Sequence, residues 1–274
     1  MSCGGAKTAM RLVIAGGGTG GHLFPGIALA EELLSRGGEH ALMFMGARGG
    51  LEERIVPMHG FRLELLPSLK GGFFTLNAPR KAWQGCKGYL QARRALLGFG
   101  ADAIVGLGGY ASALPVLAGW GVEVPCMLLE QNVIPGRTSR GLAKFAGEIG
   151  VQFHESARRF PNSRIVKQVG NPLRRKVLKA AEAATQKNTS FFATPPEPTI
   201  LVVGGSQGAK ALNDIALRAW PKLKQIIPGA RMILLSGRED EQRCVEGFAA
   251  AGGRGQVLGF TEAMEDLYAQ ADVV

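Results

Sequence analysis

Three times along this chain an apolar run breaks into a glycine-rich turn and then into a helical pattern. Leu12–Ala15 runs into Gly16–Gly21, "VGLGGYAS" spans 105–112, and "VVGGSQGAK" spans 202–210. The same alternation continues elsewhere. Strands are predicted at 11–15, 41–45, 103–106, 125–129, 148–152, 165–169, 199–203, 231–235, 256–258 and 271–274. Short, continuously apolar strands separated by helices predict parallel sheets covered on both faces, because each crossover lays a helix on the sheet. In such sheets ligands bind at the carboxyl ends of the strands, where all three glycine turns must lie.

At 274 residues the chain exceeds one comfortable core. The alternation pauses at "VGNPLRRKV" near residue 170 and again in the loop at 186–198, then restarts with "TILVVGGSQGAKALNDIAL". This predicts two doubly wound, Rossmann-like α/β domains, residues 1–172 and 173–274. "MEDLYAQADVV" reads as a helix followed by a strand that reaches Val274 with no covering helix after it. The second domain is therefore expected to be incomplete.

An apolar content of 46% with 20% charged residues fits a globular protein and excludes a disordered one. The cysteines Cys3, Cys86, Cys126 and Cys244 form no CxxC pair, and read as buried reduced thiols of a cytosolic protein. The N-terminus "MSCGGAKTAMR" has no apolar core of a secretory signal, and no apolar stretch reaches the ~18 residues of a membrane span. The net charge is +10, and most of the excess lies in residues 1–170, with 19 Lys+Arg against 11 Asp+Glu. Residues 65–101 hold Lys70, Arg80, Lys81, Lys87, Arg93 and Arg94 with no acid, interleaved with Phe73, Phe74, Trp83, Tyr89 and Leu90. This basic and aromatic stretch predicts either a solvated helix face or attachment to an anionic membrane surface. Nucleic acid ranks lower, because no nucleic-acid-binding motif accompanies it.

Glycine lets backbone approach a ligand closely, and a turn that opens a helix leaves unpaired N–H groups at the positive end of the helix dipole. Phosphate suits such a turn. The candidate phosphate loops are Gly16, Gly17 and Gly18; Gly108 and Gly109; and Gly204, Gly205 and Gly208. Gly16–Gly21 satisfies the dinucleotide pattern GxGxxG, but the second strand ends at Arg48 rather than an acid that would hold a ribose. An NADP-binding oxidoreductase therefore stays open as an alternative. Ala209 before Lys210 breaks a Walker loop. His22 falls in the first helical turn beside the amides, where it can accept a proton. His40, His59 and His154 have no such setting. Glu130, Gln131 and Asn132 close a buried strand ahead of Pro135-Gly136, and Asn132 is either a helix cap or a ligand contact. Arg174 at the domain junction can pair with a diphosphate, or be a surface charge.

Together "AGGGTGGHLFPGIALA", "GLGGYASALP", "LEQNVIPG", "VGNPLR" and "LVVGGSQGAKALN" resemble the MurG family of peptidoglycan glycosyltransferases, in family order across nearly the whole chain. The resemblance implies a GT-B architecture, two Rossmann-like domains facing a cleft. It implies transfer of N-acetylglucosamine from UDP-N-acetylglucosamine to the muramic acid C4 hydroxyl of undecaprenyl-diphospho-muramoyl-pentapeptide. It further implies a peripheral location on the cytoplasmic face of the bacterial inner membrane, with segment 70–99 at the bilayer. Thr19, Gly20, Gly21, Asn132, Arg174 and Ser206 match donor-contacting positions, and Thr261 a backbone contact to uracil. His22, Tyr110 and Glu130 match cleft positions. The family's HEQN is Leu129-Glu-Gln-Asn here, and the family's further donor-site elements do not follow Val274.

The implied reaction inverts an anomeric carbon as UDP leaves. It needs a base, His22 first and Glu130 second, and stabilisation of the diphosphate by the Gly204–Gly208 turn, Ser206 and Arg174. The first two turns would hold the acceptor's diphosphate. No cofactor or metal is expected, since the chain has no Asp-x-Asp. A catalytically incomplete, lipid-diphosphate-binding fragment is the alternative of a different class.

Overall fold

The computed structural model describes residues 9–68, 78–160, 165–187, 197–205 and 208–274. The chain divides into two compact units, Met1–Arg174 and Arg175–Val274.

The first unit runs β1 (Arg11–Ala15), α1 (Gly20–Ser35), β2 (Ala41–Ala47), α2 (Glu52–Met58), β3 (Arg62–Leu66), α3 (Ala78–Phe99), β4 (Ala103–Gly106), α4 (Ala113–Trp120), β5 (Cys126–Glu130), α5 (Arg137–Leu142), β6 (Glu148–Val151), α6 (His154–Ala157) and β7 (Val166–Gln168). Its seven strands are ordered β3-β2-β1-β4-β5-β6-β7, with every pairing parallel. Successive side chains on a strand face opposite ways, and β1 shows why its sequence is apolar throughout. Leu12 and Ile14 pack with Leu23 and Ile27 of α1 and Ile55 of α2. Val13 and Ala15 pack with Ala92 and Leu96 of α3 and Val116 of α4. Both faces are covered, so neither has room for polar alternation.

The second unit runs α7 (Arg175–Lys187), β8 (Thr199–Val203), α8 (Lys210–Ile226), β9 (Arg231–Leu235), α9 (Glu241–Ala250), β10 (Gly255–Leu258) and α10 (Met264–Gln270). Its sheet is parallel in the order β10-β9-β8. The core centres on Trp220, fully buried, whose ring meets Phe248 edge-on with centroids 5.2 Å apart.

Three details correct the sequence reading. A strand at 62–66 was not expected, yet β3 pairs with β2 at the sheet edge. Predicted strand 271–274 is reduced to a single parallel bridge between Val273 and Ile200. Cys126 and Cys244 are buried, and burial pushes both thiols up to about 11. Cys86, however, is exposed on α3. Cys3 lies outside the described residues.

Candidate functional site

The strand order places β1 beside β4, and the chain leaves them in opposite directions across the sheet. That is the topological switch point, where a crevice opens above the carboxyl ends of the strands. The amide of Leu107 donates to the Ala15 carbonyl (2.8 Å) and that of Gly16 to the Met45 carbonyl (3.1 Å), so the first two glycine turns leave the sheet side by side. They are close enough that a Cβ on Gly18 would come within 3.1 Å of the Tyr110 ring, and one on Gly109 within 3.2 Å of the Gly17 carbonyl oxygen. Gly18 has φ +81°, a conformation that L side chains rarely adopt.

Behind the first turn stands a residue the sequence reading missed. Glu52, at the start of α2, is completely buried. Its Oε2 accepts the Gly18 amide (2.7 Å) and its Oε1 the Ala47 amide (2.8 Å). Gly17, Gly46 and Gly50 surround the carboxylate, and any Cβ on them would collide with it. In this candidate phosphate loop the Gly16 and Gly18 amides are already bonded within the protein. Thr19 precedes α1 in extended conformation without a side-chain cap. Thr19 and Gly21 are exposed, while Gly20 is buried.

His22, half-buried in the first turn of α1, lies over the second glycine turn. A Cβ on Gly108 would come within 3.4 Å of its Cε1, and one on Gly109 within 3.3 Å of its Cδ2. Its Nδ1 is 3.1 Å from Gln131 Oε1, at the end of β5. Glu130 is 2% exposed, and both its oxygens serve its own loop. Oε1 accepts the Asn132 amide (3.0 Å) and side-chain Nδ2 (2.8 Å), and Oε2 accepts the Gly136 amide (3.2 Å). As a second candidate base it is thus engaged in shaping the 131–136 loop, with three donors on the lone pairs a base would use. Asn132 itself is exposed, and its carbonyl accepts the Ser156 hydroxyl (2.9 Å). Arg174, expected as a surface charge or a diphosphate partner, is buried, its guanidinium 4.9 Å from the centre of the Phe24 ring on α1.

In the second unit the third glycine turn again joins strand to helix. Gly205 and Gly208 have φ +78° and +74°, and the Gly208 amide donates to the Gly205 carbonyl (3.0 Å). Ser206 lies outside the described residues. Below the turn, the fully buried Asn213 of α8 donates from Nδ2 to the Ser236 carbonyl and to Asp240 Oδ2, both at 2.8 Å. Asp240 also pairs with Arg243 (2.6 Å), which reaches Asp214 (2.7 Å). The Arg243 guanidinium, with Asn213 second, holds the Asp240 carboxyl well below the usual carboxylate range. Thr261 Oγ1 accepts the Ala263 amide (3.1 Å) at the approach to α10.

Of the basic and aromatic segment 70–99, Lys70 and the side chains of Arg80 and Lys81 lie outside the described residues. The described part of α3 exposes Trp83 (71%), Lys87, Leu90, Arg94 and Leu97. Trp83, Lys87, Leu90 and Arg94 line one wall of a groove of about 720 Å³, with Arg62 and Glu64 of β3 opposite. On α4, the exposed Trp120 meets Phe145 edge-on (5.0 Å), and Lys144 Nζ lies 5.0 Å from the same ring.

Residues 12–151 match the glycosyltransferase family 28 N-terminal domain and residues 199–274 its C-terminal domain. The chain is 38% identical over 267 residues to a UDP-N-acetylglucosamine--N-acetylmuramyl-(pentapeptide) pyrophosphoryl-undecaprenol N-acetylglucosamine transferase of Citrifermentans bemidjiense, covering 97% of this chain and 72% of that protein. It is 40% identical over 283 residues to the transferase of the same name from Pelobacter propionicus, covering 97% and 74%. The crystal structure of Acinetobacter baumannii MurG superposes with a TM-score of 0.64 at 28% identity, over 96% of this chain and 70% of that one. A UDP-GlcNAc 2-epimerase from Neisseria meningitidis gives 0.62 at 10% identity, over 96% and 76%, a likeness of fold alone. With these identities held over nearly all of its length, the chain belongs to the MurG family of glycosyltransferases.

Proposed function

We propose that this protein carries out the reaction for which its relatives are named. It moves N-acetylglucosamine from UDP-N-acetylglucosamine to the muramic acid C4 hydroxyl of the undecaprenyl-diphospho-muramoyl-pentapeptide, a step of peptidoglycan synthesis. The observation that carries this reading into the structure is His22, seated over the second glycine turn at the switch point of the first unit and held there by Gln131. In the displacement, the acceptor oxygen forms a bond to the anomeric carbon as the bond from that carbon to the UDP oxygen breaks. The hydroxyl proton goes to His22 Nε2 and the electron pair leaves with UDP. A positioned base contributes about 10²–10⁴ in rate. The nucleotide sugar belongs to the second unit, where the Gly204–Gly208 turn opens α8 and offers backbone donors to the leaving diphosphate. Ser206 and Thr261 are its proposed partners there, and Thr19, Gly20, Gly21, Tyr110, Asn132 and Arg174 are the proposed substrate contacts of the first unit.

The exposed Trp83, Leu90 and Leu97 among Lys87 and Arg94 support attachment of α3 to an anionic bilayer, which is where a polyprenyl-linked acceptor resides. No helix among the described residues is long and apolar enough to cross a membrane, and we place the attachment at the surface of the cytoplasmic face. The NADP reading loses support at two points. Arg48, not an acid, follows β2, and Glu52 occupies the Gly18 amide that a dinucleotide pyrophosphate would use.

The test is direct. Incubation with both substrates should release UDP only when the lipid-linked acceptor is present, with one hexosamine added to it by mass. Titration with UDP-N-acetylglucosamine and with NADP separates the alternatives. Binding of neither would favour a lipid-diphosphate-binding protein, and binding of the dinucleotide would overturn the transferase.

A further inference from the structure

Among the described residues one hydrogen bond holds the His22 ring, and the partner is a neutral amide rather than the carboxylate that most often orients a catalytic imidazole. Gln131 directly follows β5, whose last residue, Glu130, pairs with Val151 of β6, and its side chain crosses to α1 and meets Nδ1 at 3.1 Å. The other end of the same amide, Nε2, is buried with no partner among the described residues. The contact of its oxygen with Nδ1 is thus the one hydrogen bond of this amide among the described residues. A carbonyl oxygen can only accept. It therefore selects the imidazole tautomer with the proton on Nδ1, and the lone pair is left on Nε2. The opposite tautomer would set a lone pair against a lone pair.

We infer that Gln131 is the positioning residue for His22, fixing its Nδ1–H tautomer and ring orientation so that Nε2 is the proton acceptor. This rests on the assignment of His22 as the base. The titratable groups on the elements around the ring do not compete for Nδ1. Glu52, behind the first turn, and Glu130, beside Gln131, both spend their oxygens on backbone amides. Tyr110 stands against Gly18, and Arg137 and Arg140 of α5 are exposed.

The first measurement needs no turnover. Long-range ¹H–¹⁵N NMR of the 274-residue chain, with His22 assigned by its loss in His22→Ala, should show the neutral ring protonated at Nδ1. In Gln131→Leu the tautomer should revert towards Nε2–H. An Nε2–H ring in the unsubstituted protein, or a tautomer unchanged in Gln131→Leu, would overturn the inference. Kinetics add a readout that loss of structure cannot imitate. Gln131→Leu should lower kcat about 10–100-fold. Gln131→Glu should move the acidic limb of kcat/KM to higher pH by about one unit, with turnover largely restored above that limb. An acidic limb that does not move would also overturn it. If His22→Ala keeps its activity while the tautomer still follows residue 131, the base assignment fails and the positioning contact stands.

Discussion

Glu52 Oε2 accepts the Gly18 amide at 2.7 Å, so the first glycine turn is tied to the end of β2 by an acid 34 positions downstream. Truncating it in Glu52→Ala leaves that amide and the Ala47 amide without an acceptor in the interior. Each unsatisfied buried donor costs about 1–3 kcal/mol. Chemical denaturation should therefore show a loss of roughly 2–6 kcal/mol, with a smaller loss for Glu52→Gln, which keeps one acceptor.

His22→Ala removes a half-buried ring that touches the second turn chiefly through glycine backbone. The thermal midpoint should change little while kcat falls at least about 10²-fold. Steady-state UDP release measures it, and a fall of less than about tenfold would disqualify the residue as general base.

Asp240 makes the second unit acid-sensitive. Its carboxyl is depressed by Arg243 and Asn213, so its contribution is full above the ordinary carboxylate value of about 4 and is lost as pH falls below it. Urea denaturation of the protein and of Asp240→Asn should differ clearly at pH 7. The difference should shrink steadily on acidification below about pH 4.

Gly208 stands at φ +74°, and a Cβ there would collide with the Ser236 carbonyl oxygen and sit 3.0 Å from the Gly237 Cα. Gly208→Ala should weaken the second unit by about 1–2 kcal/mol from backbone strain alone. It should weaken UDP binding more than acceptor binding, as calorimetric titration of each ligand would show.

The exposed face of α3 can be tested apart from the chemistry. Trp83→Ser combined with Lys87→Glu and Arg94→Glu should reduce sedimentation with phosphatidylglycerol vesicles by at least about tenfold, since each basic residue at such a surface contributes about 1 kcal/mol. Turnover of a short-chain, water-soluble acceptor should persist.

Most of the fold is legible in the sequence because buried parallel strands advertise themselves as apolar runs. β1, β4, β8 and β9 fall on the expected residues. β3 escapes because Arg62 and Glu64 interrupt it, as an edge strand with one open flank permits. The glycine turns are equally legible, yet their wiring is not. In "GGLEERIVP" nothing distinguishes Glu52 from Glu53: both acids suit a helix start, and only the packing buries one and exposes the other. Gln131 reads as one polar residue among three. That its oxygen meets His22 depends on β5 and α1 converging above the sheet, a relation that local pattern does not encode.

That convergence also sets a timetable. His22 and Gln131 are 109 positions apart in the chain, and the strands that bring them together pair in an order different from that of synthesis. At a ribosomal pace of about 5–20 residues per second, His22 waits roughly 5–20 s for its partner to be made. Throughout that interval the nascent protein carries an imidazole and two glycine bends but no assembled centre, so competence arrives late, with β5, rather than with the motif that first draws the eye.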